Sequence, residues 1–166
     1  ASINKKIGSL KPLKNVGQAI NDLVNKDESF PNHISLNHSD TVVKRYELIQ
    51  EGGKLPPPEE LPKEIRRKNF GSTYVRLDRK SPAITMVPGN NAFPVHPILN
   101  MSLTPREAAR IQSFPDDHIF EGTRRMQCIL VGNAVAPLLA AHLGVDVKKH
   151  LFNKKYNSNN SSLVKK

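Results

Sequence analysis

The chain has 166 residues, 37% of them hydrophobic, with 5% aromatic and no Trp. That suits one compact domain with a thin core, or a small domain plus a segment that needs a partner. A formal net charge of +10 favours a polyanionic partner, because each Lys or Arg set against a phosphate releases counterions. The single cysteine, Cys128, excludes an internal disulfide framework and a cysteine-rich zinc site and fits a reducing cytosol.

Residues 1–14 are Lys-rich and read as a basic arm. Val16, Ala19, Ile20 and Leu23 recur at helical spacing, which predicts a helix over Val16–Val24. The polar stretch 25–40 reads as a loop, and a second helix is expected over Asp40–Gln50, stopped by Gly52 and Gly53. Leu55-Pro56-Pro57-Pro58 must be extended, since proline restricts its own φ and the residue before it. A short charged helix is predicted over Glu59–Asn69, then strands at Tyr74–Leu77 and Ala83–Val87, and a turn at Pro88–Asn91. Thr104, Pro105 and Glu107 spell a capping box with proline at the first helical position, opening a helix that Pro115 ends. A last helix follows Gly132-Asn133, with Pro137 in its first turn and Gly144 as its C-terminal cap. The Lys-, Asn- and Ser-rich tail from Lys148 is expected to be disordered. No stretch is expected to approach the roughly 20 apolar residues of a membrane span, and the polar, basic first residues do not form a signal peptide.

The run Arg76-Leu77, Ser81-Pro82-Ala83-Ile84-Thr85, His96-Pro97 and Leu103-Thr104-Pro105-Arg106-Glu107-Ala108-Ala109-Arg110-Ile111-Gln112-Ser113-Phe114-Pro115-Asp116 resembles the ninth motif of the cytosine-5 DNA methyltransferases. Val131-Gly132-Asn133-Ala134-Val135-Ala136-Pro137 resembles their tenth, in the matching order and separation. A looser pattern precedes them at His33, His38, Arg45, Gly52-Gly53 and Leu61-Pro62. Leu130, Met101 and Ala136 depart from the usual residues at their positions, which bears on details of the cofactor pocket and one phosphate or packing contact.

The resemblance implies a large domain holding S-adenosylmethionine and a cysteine nucleophile, and a small domain that reads double-stranded DNA. The target cytosine is flipped out because its ring cannot be reached inside the duplex. The family's Pro-Cys dipeptide, glycine-rich loop, Glu-Asn-Val and Gln-x-Arg-x-Arg segments have no match here. The expectation is therefore a C-terminal part of such an enzyme, starting after the eighth motif: either a β-type subunit of a split bacterial enzyme or a piece of a longer one. The fold expected is mixed α/β, a small target-recognition domain of short strands and loops followed by helices that complete a methyltransferase core. The divisions expected are an arm (1–14), the recognition domain with the ninth motif (15–118), a tenth-motif segment docking on the catalytic domain (119–147) and the tail (148–166).

Site residues follow from the same resemblance and from chemistry. Cys128 follows Gln127, not Pro, and reads as a buried small hydrophobe, so no catalytic residue is assigned to this chain. Asn133, Ala134 and Val135 are candidates for the edge of the cofactor pocket, although Asn133 also suits a helix cap. His33, His38, Arg45, Arg66, Arg67, Lys68, Arg76, Arg79 and Lys80 are candidates for DNA contact; a solvated charged face is the plainer alternative. Thr104, Arg106, Glu107 and Arg110 are expected to organise the domain, with Arg110 equally suited to the DNA backbone. The histidines His33, His38, His96 and His118 lack metal-ligand spacing, so no metal is assigned. The expected activity is sequence-specific cytosine-5 methylation of DNA in a bacterial restriction-modification system, in the cytoplasm and at the nucleoid, with this chain inactive alone. The alternatives are a non-catalytic DNA-binding or regulatory module, and a degenerate fragment.

Overall fold

The computed structural model describes residues 14–67, 72–89 and 92–152. The expected arm through residue 13, Lys68 and the tail beyond residue 152 lie outside them.

Asn15 and Gln18 form a reciprocal capping box that opens α1, Val16–Ile20. Helix then tightens into a 3-10 turn over Asn21–Asn25 instead of continuing as one α-helix to Val24. Asn21, Asp22 and Asn25 explain the change, because short polar side chains compete with the helical backbone. Helix α2, Asp40–Glu47, stops earlier than its expected end at Gln50. The charged helix expected over Glu59–Asn69 is replaced by two 3-10 turns, Pro58–Glu60 and Lys63–Ile65, because Pro62 cannot continue the first. Helix α3, Pro105–Ile111, carries the expected capping box at Thr104 and Glu107.

The next helix was not foreseen. Helix α4, Arg124–Asn133, starts at Thr123, whose hydroxyl accepts the Met126 N–H, and ends on Gly132 and Asn133. The helix expected after that pair, with Pro137 in its first turn, is α5, Pro137–Phe152; it runs through Gly144, which is therefore mid-helix and not a cap. It also takes up the first residues of the expected tail.

The strand expectations fare worst. The described residues form only isolated bridges, Lys54 with Val75, Arg76 with Val95, and Val95 with Ser102. Ala83–Val87 forms no strand and no bridge with the described residues. Just before it, the Ser81 and Arg79 carbonyls accept the Val16 and Gly17 N–H groups and so tie the segment to α1.

Two apolar clusters make the core. One gathers Val16, Ile20 and Leu23 with Phe93, Leu103, Ala108, Cys128 and Val131, so that α3 is packed between α1 and α4. The other joins Tyr46 and Ile49 with Leu55, Leu61, Ile65, Tyr74 and Val95.

Helix α5 stands outside both. Leu138, Leu139, Leu143, Val145, Val147 and Leu151 are all more than half exposed. The expectation of no membrane-length apolar stretch is corrected here: Arg124–Leu151 is long and apolar enough by composition, with an 18-residue stretch of mean hydropathy 1.8. The run is two helices, however, broken at 134–136, and α4 turns Gln127, Cys128 and Val131 into the core. Where α4 ends, Gly132 lies so close to residues 87–88 that an added Cβ would sit 2.4 Å from Pro88 Cα and 2.9 Å from the Val87 carbonyl carbon.

The two glycines should respond in opposite directions. Gly132→Ala forces Cβ into backbone atoms and is expected to cost about 2–3 kcal/mol in urea unfolding. Gly144→Ala meets open space inside a helix and is expected to stabilise by up to about 1 kcal/mol. Equal effects at both positions would contradict this packing.

Candidate nucleic-acid and cofactor interface

Arginine does the work that a sheet would do elsewhere. Arg76 is buried, and its guanidinium reaches five acceptors. It donates to the carbonyls of Ile49 (2.7 Å), Tyr46 (2.6 Å), His96 and Leu99 (2.8 Å each), and to Asn100 Oδ1 (2.7 Å). Burial pulls its pKa down, and no carboxylate pairs with it among the described residues. Arg45, also buried, donates to the Ile65 carbonyl (2.6 Å) and the Tyr74 hydroxyl (3.2 Å). His33 is buried against the Thr104 hydroxyl, and His38 contacts Ser102. Arg76, Arg45 and His33, expected as candidates for DNA contact, are buried, with these hydrogen bonds made inside the protein. His38 is half-buried and likewise occupied.

A second arginine knot ties the ninth-motif segment to α1 and the loop after it. Arg106 has no exposed surface; it donates to the carbonyls of Pro31, Pro115 and His118 and to Asn32 Oδ1. Asn32 has φ 61, a conformation that Asn tolerates, and its side chain also exchanges hydrogen bonds with the Phe120 backbone. Arg110 grips Asp116 and Asp22 and so ties α3 to the turn after α1; the carboxylates hold its pKa above the usual arginine range. Asn32 escaped sequence reasoning, and so did Arg124, which donates to the Ile34 carbonyl from the start of α4. A polar residue in a loop and an arginine in an unpredicted helix left no periodic signal.

Beneath α3 lies a buried pair. His96 Nδ1 accepts the N–H groups of Ile98 and Leu99, so the neutral ring carries its proton on Nε2. That Nε2 is 3.6 Å from Glu107 Oε1, while Glu107 Oε2 accepts the Thr104 N–H. The distance falls within ion-pair range, yet burial, with Arg76 and His33 adding to it, holds His96 down at about 4. Burial also pushes Glu107 up to about 7. The imidazole is therefore neutral at physiological pH, and the two are not a salt bridge.

The remaining charge candidates face outward. Arg66 is exposed and donates to the Leu61 carbonyl; Arg67 lies over the Tyr74 ring; Arg79 pairs with Glu51; Lys80 is exposed. Asn133, Ala134 and Val135 form the corner between α4 and α5. Asn133 and Val135 are exposed, and the Asn133 side chain makes no hydrogen bond among the described residues. A free amide on an exposed corner fits one edge of a cofactor site and leaves the rest of the enclosure to other residues. Beside this corner runs a groove of about 540 Å³ lined by Val16, Ala19, Ile84, Ile111, Ala136 and Leu139.

The model of the C-5 cytosine-specific DNA methylases matches residues 2–149. The chain belongs to that family. Type II methyltransferase M.AquIB of Picosynechococcus is 34% identical over 137 residues, covering 76% of this chain and 93% of the relative. M1.HphI of Haemophilus parahaemolyticus is 34% identical over 71% of this chain, and M.DdeI of Desulfomicrobium norvegicum 33% identical over 68%. This chain spans only 31% of each of those two methyltransferases. Members of that family are DNA methylases, which in general take their methyl group from S-adenosylmethionine.

In this methylase-family chain, Arg76→Lys keeps the charge but loses the fork, and is expected to lower stability by about 2–4 kcal/mol in urea unfolding. A loss below about 1 kcal/mol, the range of a surface contact, would contradict the five-acceptor arrangement.

Glu107→Gln tests the buried pair. The Glu107 carboxyl sits above its ordinary 4.5 in the folded state, so its stabilising effect is present below that pH and is lost as pH rises through about 7. His96 sits below its ordinary 6.5, so its contribution is present above 6.5 and is lost as pH falls through about 4. The two oppose each other between 4.5 and 6.5. Relative to the parent, Glu107→Gln is expected to gain on the order of 3 kcal/mol as pH rises from 4.5 to 7, then level off. A pH-independent difference in urea midpoints would rule the raised carboxyl out.

Proposed function

We propose that this chain is the DNA-recognising, cofactor-closing C-terminal part of a cytosine-5 methyltransferase. It methylates DNA only with a catalytic half that supplies the Pro-Cys nucleophile and the glycine-rich cofactor loop. The observation that carries the proposal is α5, whose Leu138, Leu139, Leu143, Val145, Val147 and Leu151 are left more than half exposed by the described residues. So many large apolar side chains on one exposed helix mark a face that packs inside a larger body. A protein partner suits it better than a bilayer: its 16 residues span about 24 Å at 1.5 Å per residue, short of the roughly 30 Å hydrocarbon layer. Lys148, Lys149 and His150 also crowd its end.

The tasks divide by exposure. Arg66, Arg67, Arg79 and Lys80 lie against phosphates and set the register of the domain on a duplex. The buried Arg45, Arg76 and Arg106 shape the loops that present them. Asn133, Ala134 and Val135 border the S-adenosylmethionine pocket of the assembled enzyme; the cofactor supplies the methyl group and the catalytic half its binding loop. The setting is bacterial restriction-modification, in the cytoplasm and at the nucleoid while on DNA.

The test is transfer of labelled methyl from S-adenosylmethionine to duplex DNA. The chain alone is expected to be inactive, and the chain with a catalytic half active. Activity of the chain alone refutes the division. DNA retention without activity in the mixture supports a DNA-binding module instead. Arg67→Ala with Lys80→Ala is expected to weaken DNA retention at all sequences and to reduce the salt slope by about 1 per lost phosphate contact. An unchanged slope removes these residues from the interface.

A further inference from the structure

One residue breaks a local rule for which its own helix offers no reason. Helix α3 ends in a Schellman arrangement: the Phe114 N–H donates to the Ala109 carbonyl and the Ser113 N–H to the Arg110 carbonyl, both at 2.9 Å. The left-handed position of this motif favours glycine, yet it is held by Ser113 at φ 67. The hydroxyl explains the choice. Ser113 Oγ accepts the Leu138 N–H at 3.2 Å, one of the first-turn donors of α5 that lack intrahelical partners. Its neighbour acts on the other side of the same corner. Gln112 Nε2 donates at 2.7 Å to the Val131 carbonyl near the end of α4. Two consecutive residues of the ninth-motif segment thus hold the last turn of α4 and the first turn of α5. Between those turns lie Asn133, Ala134 and Val135, and the close approach of Gly132 to Pro88 fixes the corner from a third side.

We propose that Gln112 and Ser113 are positioning residues for methyl transfer, bracing the α4–α5 corner so that Asn133–Val135 meet the cofactor in register. The inference rests on the reading of that corner as the cofactor edge. It couples the end of the recognition domain to the cofactor side through two hydrogen bonds, without either residue touching S-adenosylmethionine. Neither bond is needed to close α3 itself, whose terminal carbonyls are already met by the Ser113 and Phe114 amides.

The experiment uses the chain assembled with a catalytic half, with labelled S-adenosylmethionine and mixed-sequence duplex DNA as substrates. Ser113→Gly suits the backbone conformation and removes only the hydroxyl. Gln112→Met keeps the length and removes the donor. Each is expected to raise KM for S-adenosylmethionine about three- to tenfold, the scale of one lost hydrogen bond, with kcat and KM for DNA within about twofold. Ser113→Asn tolerates the left-handed conformation and keeps an acceptor, so it should restore the parental cofactor KM. In the chain alone, amide exchange at Ala134 and Leu138 should quicken in Ser113→Gly and return to the parental rate in Ser113→Asn. An active assembly in which the variants leave cofactor KM unchanged, or lower kcat and DNA affinity together, overturns the positioning role. An inactive parental assembly overturns the half-enzyme reading and the proposal with it. Unaltered exchange in Ser113→Gly removes the brace on its own.

Discussion

The structure depends on buried guanidinium groups that bond to main-chain carbonyls. A segment without a sheet must place its backbone polar groups somewhere, because an unpaired buried carbonyl costs nearly as much as a lost hydrogen bond. Arg76 collects four carbonyls and a side-chain amide from α2, the loop after it and residues 96–100. Arg106 collects three carbonyls and the Asn32 amide oxygen. Charged donors make hydrogen bonds roughly twice as strong as neutral ones, and each fork gathers several chain segments at one point. The cost is a buried positive charge, met almost wholly by carbonyl dipoles; Asp116, at 3.9 Å from Arg106, is the nearest carboxylate. Such a scaffold holds loops in fixed shapes with very few strand residues.

This explains how the sequence was legible and where it was not. The capping box at Thr104 and Glu107 depends on residues three apart, and it was visible because all its physics is local. Apolar spacing located α1 and α2, though it missed their ends, which polar side chains and turn geometry decide. Ala83–Val87 has the composition of a strand but lacks a neighbour to pair with; β-propensity describes a fit to a pleated surface, and no such surface forms here. Gly132 and Asn133 do mark a boundary, but they close α4 as well as precede α5, and the helix before them went unread.

The site shows the same limit. Arg45, Arg76 and Arg106 carry the same side chain as Arg66 and Arg67, and only the fold separates those that hold loops from those that face solvent. Counting positive charge therefore overstates the charge that faces solvent. His96 and Glu107 give a matching lesson about ionisable groups: their proximity suggests an ion pair, but two backbone amides on Nδ1 and deep burial keep the imidazole uncharged. Family resemblance located the motifs, and packing assigned the individual side chains.

The uncovered helix α5 also bears on how such a polypeptide fares in a cell. A long apolar rod attached to a basic, folded body is the kind of surface that chaperones hold and proteases clear, and it invites self-association when abundant. Copies in which that rod stays uncovered are expected to be short-lived or insoluble, so abundance is expected to follow how well the rod is covered more closely than the rate of synthesis.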